Sequence, residues 1–364
     1  MVFEHNGISA DYKIYESVIN SNERMTYTDV WKILENNEAE LIARYQHIMD
    51  SFHLMKELCL KIRAKRMKRG SIDFDLPEPE IILDIQSQTI DIVRSERNIA
   101  HQIIEEFMIA ANETIAQHMS GKPLPSIYRV HEAPDETKIS EFNEFISEIG
   151  YSHKLIHENP MTFQKLLHKL AGKPEEVLIN KLLLRTMKQA RYSVENIGHF
   201  GLASQHYTHF TSPIRRYPDL IIHRLVKETI KRRYLKKEIK GQLDVILPEI
   251  ARQTSAKERV AMEAERDVVE VKKLQYMQNK LEAEYDGVIS GVTSFGFFVE
   301  LEEILVEGLV RVTSMYDDFY RFDEKGHRLM GDRSSKIYRL GDSIRVRVEK
   351  VDMEKRKIDF TLAE

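Results

Sequence analysis

A short segment of the chain concentrates hydroxyl, imidazole and guanidinium side chains immediately before a predicted helix. The side chains that could do chemistry there are His209, Thr211, Ser212, Arg215 and Arg216. Arginine places a fork of N–H donors on phosphate oxygens, and hydroxyl and backbone donors beside a helix start favour the same anion. The composition is therefore typical of a phosphate-binding loop. A buried loop with ion-paired arginines would have the same composition, and residue types alone leave both readings open.

A second group of candidate side chains is aromatic and lies near the carboxyl end. Phe295 and Phe298 stand on either side of Gly296, in a run that predicts a strand resuming after a tight turn. Exposed rings on a small barrel stack nucleic-acid bases, at about 1–3 kcal/mol for each base. Alternation along the strand assigns Phe297 and Val299 to the opposite face, in the core. The pattern predicts a single-stranded nucleic-acid surface, and a fully buried set of rings is the alternative.

The elements that must position these groups follow from hydrophobic periodicity. Helical spacing of apolar residues predicts helices within 30–66, 96–119, 138–191, from 218 onward, and 247–282. Period-two alternation predicts two hairpins, one at 1–17 with an Asn6-Gly7 turn and one that pairs 71–76 with 80–85. From 283 to 364, short Val-, Ile- and Phe-rich runs between turn residues predict an all-β barrel. The chain as a whole is therefore expected to be α+β.

Composition narrows the class of protein without naming a function. The chain has 364 residues, 42% of them hydrophobic and 31% charged, which is ordinary for a protein with two or more domains. A single cysteine, Cys59, excludes an intrachain disulfide and favours a cytoplasmic setting. No window approaches the roughly 20 apolar residues needed to cross a bilayer, so a membrane role has no support. The net charge of −4 leaves any nucleic-acid binding to local patches.

The runs 198–203 and 207–220 resemble, almost residue for residue, the signature of the RNB-type catalytic fold of ribonuclease II and ribonuclease R exoribonucleases, with ribonuclease R the closer likeness. The resemblance implies an RNB-type domain at 1–282 that lacks its amino-terminal portion. It also implies that Arg215 stabilises the scissile phosphate. The side chains implied to position the RNA are His209, Thr211, Ser212 and Arg216. Tyr217 and Asp219 are expected to pack and to cap.

Three further sites are implied by the same resemblance. Tyr27 stands where the family has an active-site tyrosine that contacts the terminal nucleotide. Glu105 corresponds to a substrate-contacting glutamate on a helix, and its neighbour Glu106 is expected to be exposed. Glu265, preferred over Glu263, corresponds to a glutamate that the helix before the barrel carries into the active site. Without the resemblance, each glutamate would be read as part of a solvated helix face.

The tail at 283–364 is similar to a five-stranded S1-type OB module. The residues implied to contact RNA there are Phe295, Phe298, Arg311, Asp352 and Arg356. Arg311 stands where the family often has a histidine, so its role is less strongly implied. Asp352 and Arg356 would equally suit a structural pair across a turn.

The family hydrolyses single-stranded RNA from the 3′ end to nucleoside 5′-monophosphates, with Mg²⁺ held on aspartates near the start of the catalytic domain. No such cluster is visible here, because Asp317 and Asp318 fall in the barrel and Asp73 and Asp75 alternate along a predicted strand. The chain also starts directly with a hairpin, as if inside a domain. We therefore expect the metal ligands to be missing, with low or no activity for this chain by itself. The alternatives are a non-catalytic RNA-binding protein and a structural protein that binds no RNA.

Overall fold

The structure is a computed structural model, and it describes residues 1–364 apart from 75, 96, 123, 174, 232–236, 325 and 364. Asp75, one of the acidic residues weighed as a metal ligand, therefore lies outside the described residues. Helices and strands both contribute to the core, and the carboxyl end closes into a barrel. The predicted α+β class with a terminal five-stranded barrel is confirmed.

The amino-terminal part is a short hairpin followed by helices. Strands β1 (Val2–Phe3) and β2 (Ser9–Asp11) pair around the predicted turn, where the Gly7 amide donates to the Glu4 carbonyl at 2.9 Å. The stretch 30–66, predicted as one helix or a pair, divides into α1 (Tyr27–Leu34), α2 (Ala39–Arg44), a 3₁₀ turn (Gln46–Ile48) and α3 (Met49–Arg69). Asn37, with φ of +52°, lies in the connection that separates α1 from α2.

The predicted second hairpin is wrong in its pairing. Strand β3 (Glu78–Leu83) pairs with β4 (Thr89–Ser95), and the segment 71–76 forms no strand among its described residues. Its polar groups bond elsewhere: the Ile72 amide donates to the Gly201 carbonyl at 2.8 Å, and Ser71 accepts from Gln164 at 3.2 Å. The alternating segment is therefore irregular, and it is held by the loop at Gly201 and by Gln164.

The central elements surround the helix α4 (Ile99–Ser120). Asn98 and His101 form a capping box at the amino end of this helix. The remaining elements of this region are β5 (Tyr128–Val130), α5 (Glu136–Glu148), α6 (Pro160–Leu170), α7 (Glu176–Thr186), β6 (Arg191–Ser193) and α8 (Tyr217–Lys231). Strands β5 and β6 form an antiparallel pair beside the loop that precedes α8. The predicted helices at 96–119 and from 218 onward are thus present.

The long helix α9 (Lys237–Gln278) connects this region to the barrel. It begins ten residues before the predicted 247 and includes Pro248, which has no backbone N–H to donate within the helix. Leu274 and Met277, near its end, are buried in the same core as the barrel side chains. The carboxyl end of the helix therefore packs into the core of the barrel.

The barrel closes in the order β13-β14-β9-β8-β7. Its strands are β7 (Glu284–Thr293), β8 (Gly296–Leu301), β9 (Glu307–Arg311), β13 (Ser343–Asp352) and β14 (Lys357–Leu362). A three-stranded sheet is inserted after β9, formed by β10 (Tyr320–Asp323), β11 (Arg328–Gly331) and β12 (Ile337–Arg339). Phe297 and Val299 are fully buried, which confirms the predicted inward face.

Candidate nucleic-acid interface

The loop at 211–216 is fixed from below by one buried carboxylate. Asp219, fully buried in the first turn of α8, accepts from the Ser212 amide at 2.8 Å and from the Arg216 guanidinium at 2.7 Å. Arg215 and Ile214 are exposed on the outer side of the same loop. The loop therefore holds one arginine in an internal pair and presents the next one to solvent. Because it precedes the amino end of α8, the helix dipole adds to the field that attracts an anion.

The rear of this loop is anchored on α4 by Asn112. The Asn112 side-chain oxygen Oδ1 accepts from the Phe210 backbone amide at 2.9 Å. The Asn112 side-chain nitrogen Nδ2 donates to the Tyr207 hydroxyl at 3.1 Å. His223 stacks on Phe210 at 4.0 Å between ring centroids. Asn112 lies two turns after Glu105 on one stripe of α4, about 10 Å along the axis. One helix thus carries both an anchor of the loop and a candidate substrate contact.

His209 is a neutral, internally bonded side chain in this arrangement. Its Nδ1 lies 2.9 Å from the Tyr192 hydroxyl. Burial, together with the positive charges of Arg216 and Arg129, lowers the pKa of His209 to about 2. Burial also raises the pKa of Tyr192 to about 12, so that its hydroxyl stays protonated. At neutral pH the His209 ring is therefore uncharged, and it can contact a ligand only as a neutral ring.

Tyr27 and Glu105, far apart in the sequence, line one open cleft of about 800 Å³. The Tyr27 ring stacks on His101 with 4.2 Å between centroids. Glu105 pairs with Arg97 at 2.6 Å, and Arg97 continues to Asp73 at 3.0 Å. Burial opposes ionisation of Asp73, but the guanidinium groups of Arg97 and Arg63 outweigh it and hold its pKa below the ordinary value. The cleft therefore combines the stacked ring of Tyr27 with the charged groups of Glu105, Arg97 and Asp73, which alternate in sign.

The expectation that Glu106 is exposed is wrong. Its side chain is fully buried and accepts from Arg66 at 2.6 Å, while Arg66 also donates to Ser71 at 2.6 Å. Arg66 itself is only 5% exposed, so each charge is compensated by the other. Glu106 is a structural residue, and its neighbour Glu105 is the one that faces the cleft.

Glu265 is exposed on α9, as is Glu263. Glu258, two turns earlier on the same stripe as Glu265, pairs with Arg129 at 2.6 Å, and the Arg129 guanidinium lies 4.7 Å from the centre of the Tyr192 ring. Helical spacing turns Glu263 well away from that stripe. Of the two glutamates, Glu265 is therefore the one on the side of α9 that faces the Arg129 and Tyr192 group.

Four of the five barrel residues implied to contact RNA line one groove of about 500 Å³ between the barrel and α9. They are Phe295, Phe298, Arg311 and Arg356. The two rings meet edge to face at 6.3 Å, and Phe295 is 53% exposed. Asp352 is not among the lining residues of this groove, because its carboxylate accepts from the Lys355 amide at 2.9 Å within the 352–356 turn.

The guanidinium groups of this groove are paired within the chain. Arg311 lies 3.0 Å from Asp359, and Arg356 lies 3.2 Å from Asp267 of α9. The structural pair considered for Asp352 and Arg356 is therefore replaced by one that ties the barrel to the helix. Both pairs are partly exposed, so either arginine can exchange its carboxylate for a phosphate at small cost.

Sequence reasoning missed several side chains that shape these sites. His101 is one helical turn before Glu105 on α4, a spacing that would have found it once Glu105 was chosen, and Arg97 lies two residues before the helix begins. Arg129 and Tyr192 had no local signal, because they lie on the short strands β5 and β6 and meet the loop only in the folded chain.

These features define a class of protein: an α+β domain joined by a long helix to an OB barrel. The chain belongs to the RNB family, since the RNB domain model matches residues 1–232, and the S1 RNA binding domain model matches residues 279–363. The family resemblance inferred from the motifs is confirmed.

Within that family the chain is similar along its whole length to proteins named ribonuclease R. It is 45% identical to the one from Aquifex aeolicus and 39% identical to the one from Escherichia coli, covering 51% and 45% of them. Its structure matches the apo form of Mycoplasma genitalium RNase R with a TM-score of 0.89 and 30% identity, covering 100% of this chain and 56% of that one. The same relative in complex with ribose-methylated single-stranded RNA gives an equal TM-score. The chain thus spans about half the length of the curated relatives it matches.

Nucleases of this family generally depend on a divalent metal ion. Among the residues that the structure describes, no three His, Cys, Asp or Glu side chains converge so as to hold such an ion. Asp317 and Asp318 bond within the barrel insert, and Asp73 is paired with arginines. The described residues therefore do not fit a metal by themselves.

Within the same described ranges, no helix is long and apolar enough to cross a bilayer.

Proposed function

We propose that this chain forms the RNA-holding part of a ribonuclease R-type 3′–5′ exoribonuclease, which hydrolyses single-stranded RNA to nucleoside 5′-monophosphates with Mg²⁺. One observation carries the proposal: buried Asp219 fixes the 211–216 loop with Arg215 exposed before the amino end of α8. A guanidinium held in advance at that position stabilises the charge that develops on a phosphodiester. The similarity to ribonuclease R over the full chain supports the same reading.

The proposed roles are those that the family resemblance implies, and the two clefts and the 211–216 loop support them in part. Tyr27 and Glu105 contact the terminal nucleotides, Arg215 stabilises the scissile phosphate, and Glu265 approaches from α9. The loop residues proposed to position the strand are His209, Thr211, Ser212 and Arg216. The barrel residues proposed to hold the incoming strand are Phe295, Phe298, Arg311, Asp352 and Arg356. We divide the chain for this purpose into 1–282 and 283–364, and the single cysteine fits a cytoplasmic protein.

Activity of the chain by itself is proposed to be low or absent. The reason is that the described residues form no site for the ion that would activate water. The same observation favours a second candidate function, a non-catalytic RNA-binding protein. The two differ in what happens to RNA once it is bound.

A chimera separates the two candidates. This chain would replace the matching half of Aquifex aeolicus ribonuclease R, and degradation of 5′-labelled single-stranded RNA would be followed with Mg²⁺. We expect stepwise shortening from the 3′ end, and we expect Arg215→Ala to lower kcat by about 10²–10³-fold while changing the Kd for RNA by less than about 3-fold. Arg44→Ala, at a surface position away from both clefts, is the matched control. A folded chimera that binds RNA without shortening it would favour the non-catalytic alternative. An Arg215→Ala variant with full turnover would contradict the role proposed for Arg215.

A further inference from the structure

Two large aromatic side chains in the barrel insert are almost entirely in solvent. Tyr316 is 93% exposed and Phe319 is 73% exposed. Their immediate neighbours, Met315 and Tyr320, are buried in the barrel core. The segment is therefore well anchored, and its two outward rings contribute little to that core. Aromatic rings can bury a large area when they meet a ligand, so two exposed rings three residues apart form a candidate binding surface.

We propose that Tyr316 and Phe319 form a second base-stacking platform that extends the RNA surface of Phe295 and Phe298 along the barrel insert. The ligand is single-stranded RNA, and the inference rests on the proposed function. An OB barrel covers roughly 4–16 nucleotides of a strand, more than two rings in one groove can stack. A further platform beside the groove would lengthen the stretch of RNA that this barrel holds.

The two platforms are continuous through the backbone. The Val312 amide donates to the Phe295 carbonyl at 3.1 Å, and Arg311 pairs with Gly296 in the adjoining strands. Tyr316 follows Val312 by four residues, so the chain can separate them by at most about 14 Å. Gly296, with φ of +153°, allows the close approach, because a Cβ there would overlap the Val310 carbonyl oxygen. The segment that carries Tyr316 therefore starts beside Phe295, within reach of one RNA strand.

The acidic residues between the two rings have internal partners. Asp318 accepts from the Arg333 amide at 2.8 Å and from the Ser334 amide at 2.6 Å. Asp317 pairs with Lys336 at 2.8 Å. These bonds hold the pKa of both carboxyl groups below the ordinary value, with the Ser334 amide the largest cause for Asp318 and the Lys336 pair for Asp317. They offset the negative charge locally and keep the loop rigid with its rings outward.

The proposal is tested by RNA affinity as a function of strand length. Fluorescence anisotropy with oligoadenylates of about 16 and about 5 nucleotides, in EDTA to prevent turnover, would compare the wild-type chain with Tyr316→Ala/Phe319→Ala. Loss of the second platform predicts about 10- to 100-fold weaker binding of the long strand and less than about 2-fold change for the short one. Because no cation is removed, the slope of log Kd against log salt should not change.

Two variants keep the test decisive. Tyr316→Phe/Phe319→Tyr retains both rings and should bind both strands as the wild type does. Phe295→Ala/Phe298→Ala should weaken binding of both lengths, and no effect from it would contradict the proposed barrel surface itself. If that variant weakens binding while the Tyr316→Ala/Phe319→Ala variant leaves the long strand unaffected, only the second platform is wrong. Equal losses on both lengths would also overturn it, since they would indicate a general disturbance of the barrel.

Discussion

Asp219 and Arg216 form a buried ion pair at 2.7 Å, three residues apart, at the point where the signature loop enters α8. The same carboxylate accepts the Ser212 amide, so one side chain fixes both ends of the loop that carries Arg215. Most exposed ion pairs at this spacing contribute little to the stability of the fold. Here the carboxylate is fully buried, and its loss would leave the Arg216 guanidinium, 18% exposed, without its partner.

We expect Asp219→Ala to lower the free energy of unfolding by about 3–5 kcal/mol, because a buried charge loses its partner. Urea denaturation measures it. Glu249→Ala is the matched control, since Glu249 and Arg252 have the same i,i+3 spacing at 2.6 Å on an exposed face. That variant should change stability by less than about 1 kcal/mol. Equal effects from the two would show that burial of Asp219 is unimportant.

The adjacent glutamates of α4 should separate stability from binding. Glu106→Ala leaves Arg66 unpaired in the core and should destabilise the chain by about 3–5 kcal/mol. Glu105→Ala removes a pair that is about one-third exposed and should cost less than about 1 kcal/mol. We expect Glu105→Ala instead to alter affinity for the 3′ end of single-stranded RNA, measured against a 3′-phosphorylated strand. Reversed effects would assign the two roles the other way.

Acid should destabilise the chain well above the pH at which carboxylates titrate. Burial is the first cause that lowers the pKa of His199 to about 3 and of His209 to about 2. In the unfolded chain both titrate near 6.5. Between these values the unfolded chain binds protons that the folded chain does not, so stability present above about pH 6.5 is lost as the pH falls.

The expected slope for that loss is about 1.4 kcal/mol per pH unit for each such histidine. Urea unfolding at pH 7, 6 and 5 measures it, and His209→Gln should give a shallower dependence. A free energy of unfolding that stays constant from pH 7 to 5 would contradict the buried, neutral state of these rings.

Replacing Arg311 and replacing its partner Asp359 should have opposite effects on RNA affinity. Arg311→Ala should weaken RNA binding and reduce the salt slope by about 0.7, the value for one phosphate on a single strand. Asp359→Ala frees the same guanidinium from its 3.0 Å pair and should strengthen binding at low salt. Weaker binding in both variants would mean that the pair itself, and not a phosphate contact, is what matters.

Part of the site was predictable because its signals are local. The run through Thr211 and Arg215 identifies the family, and alternation separates buried Phe297 from half-buried Phe298. The hairpin partner of β3 was not predictable in this way. Alternation occurs both in 71–76 and in β4, and only the bonds of Ser71 and Ile72 to other elements exclude the first.

The sequence by itself determined the family, the order of its motifs and the terminal barrel, since these depend on residue types at short spacing. Tertiary structure alone decided that Glu106 is buried, because the resemblance had selected Glu105 as the substrate contact and left Glu106 as an exposed residue. Both stand on one helix with similar local surroundings, and Arg66, forty residues earlier, selects between them. A contact of that separation exists only when two helices pack, so no periodicity in the chain could reveal it.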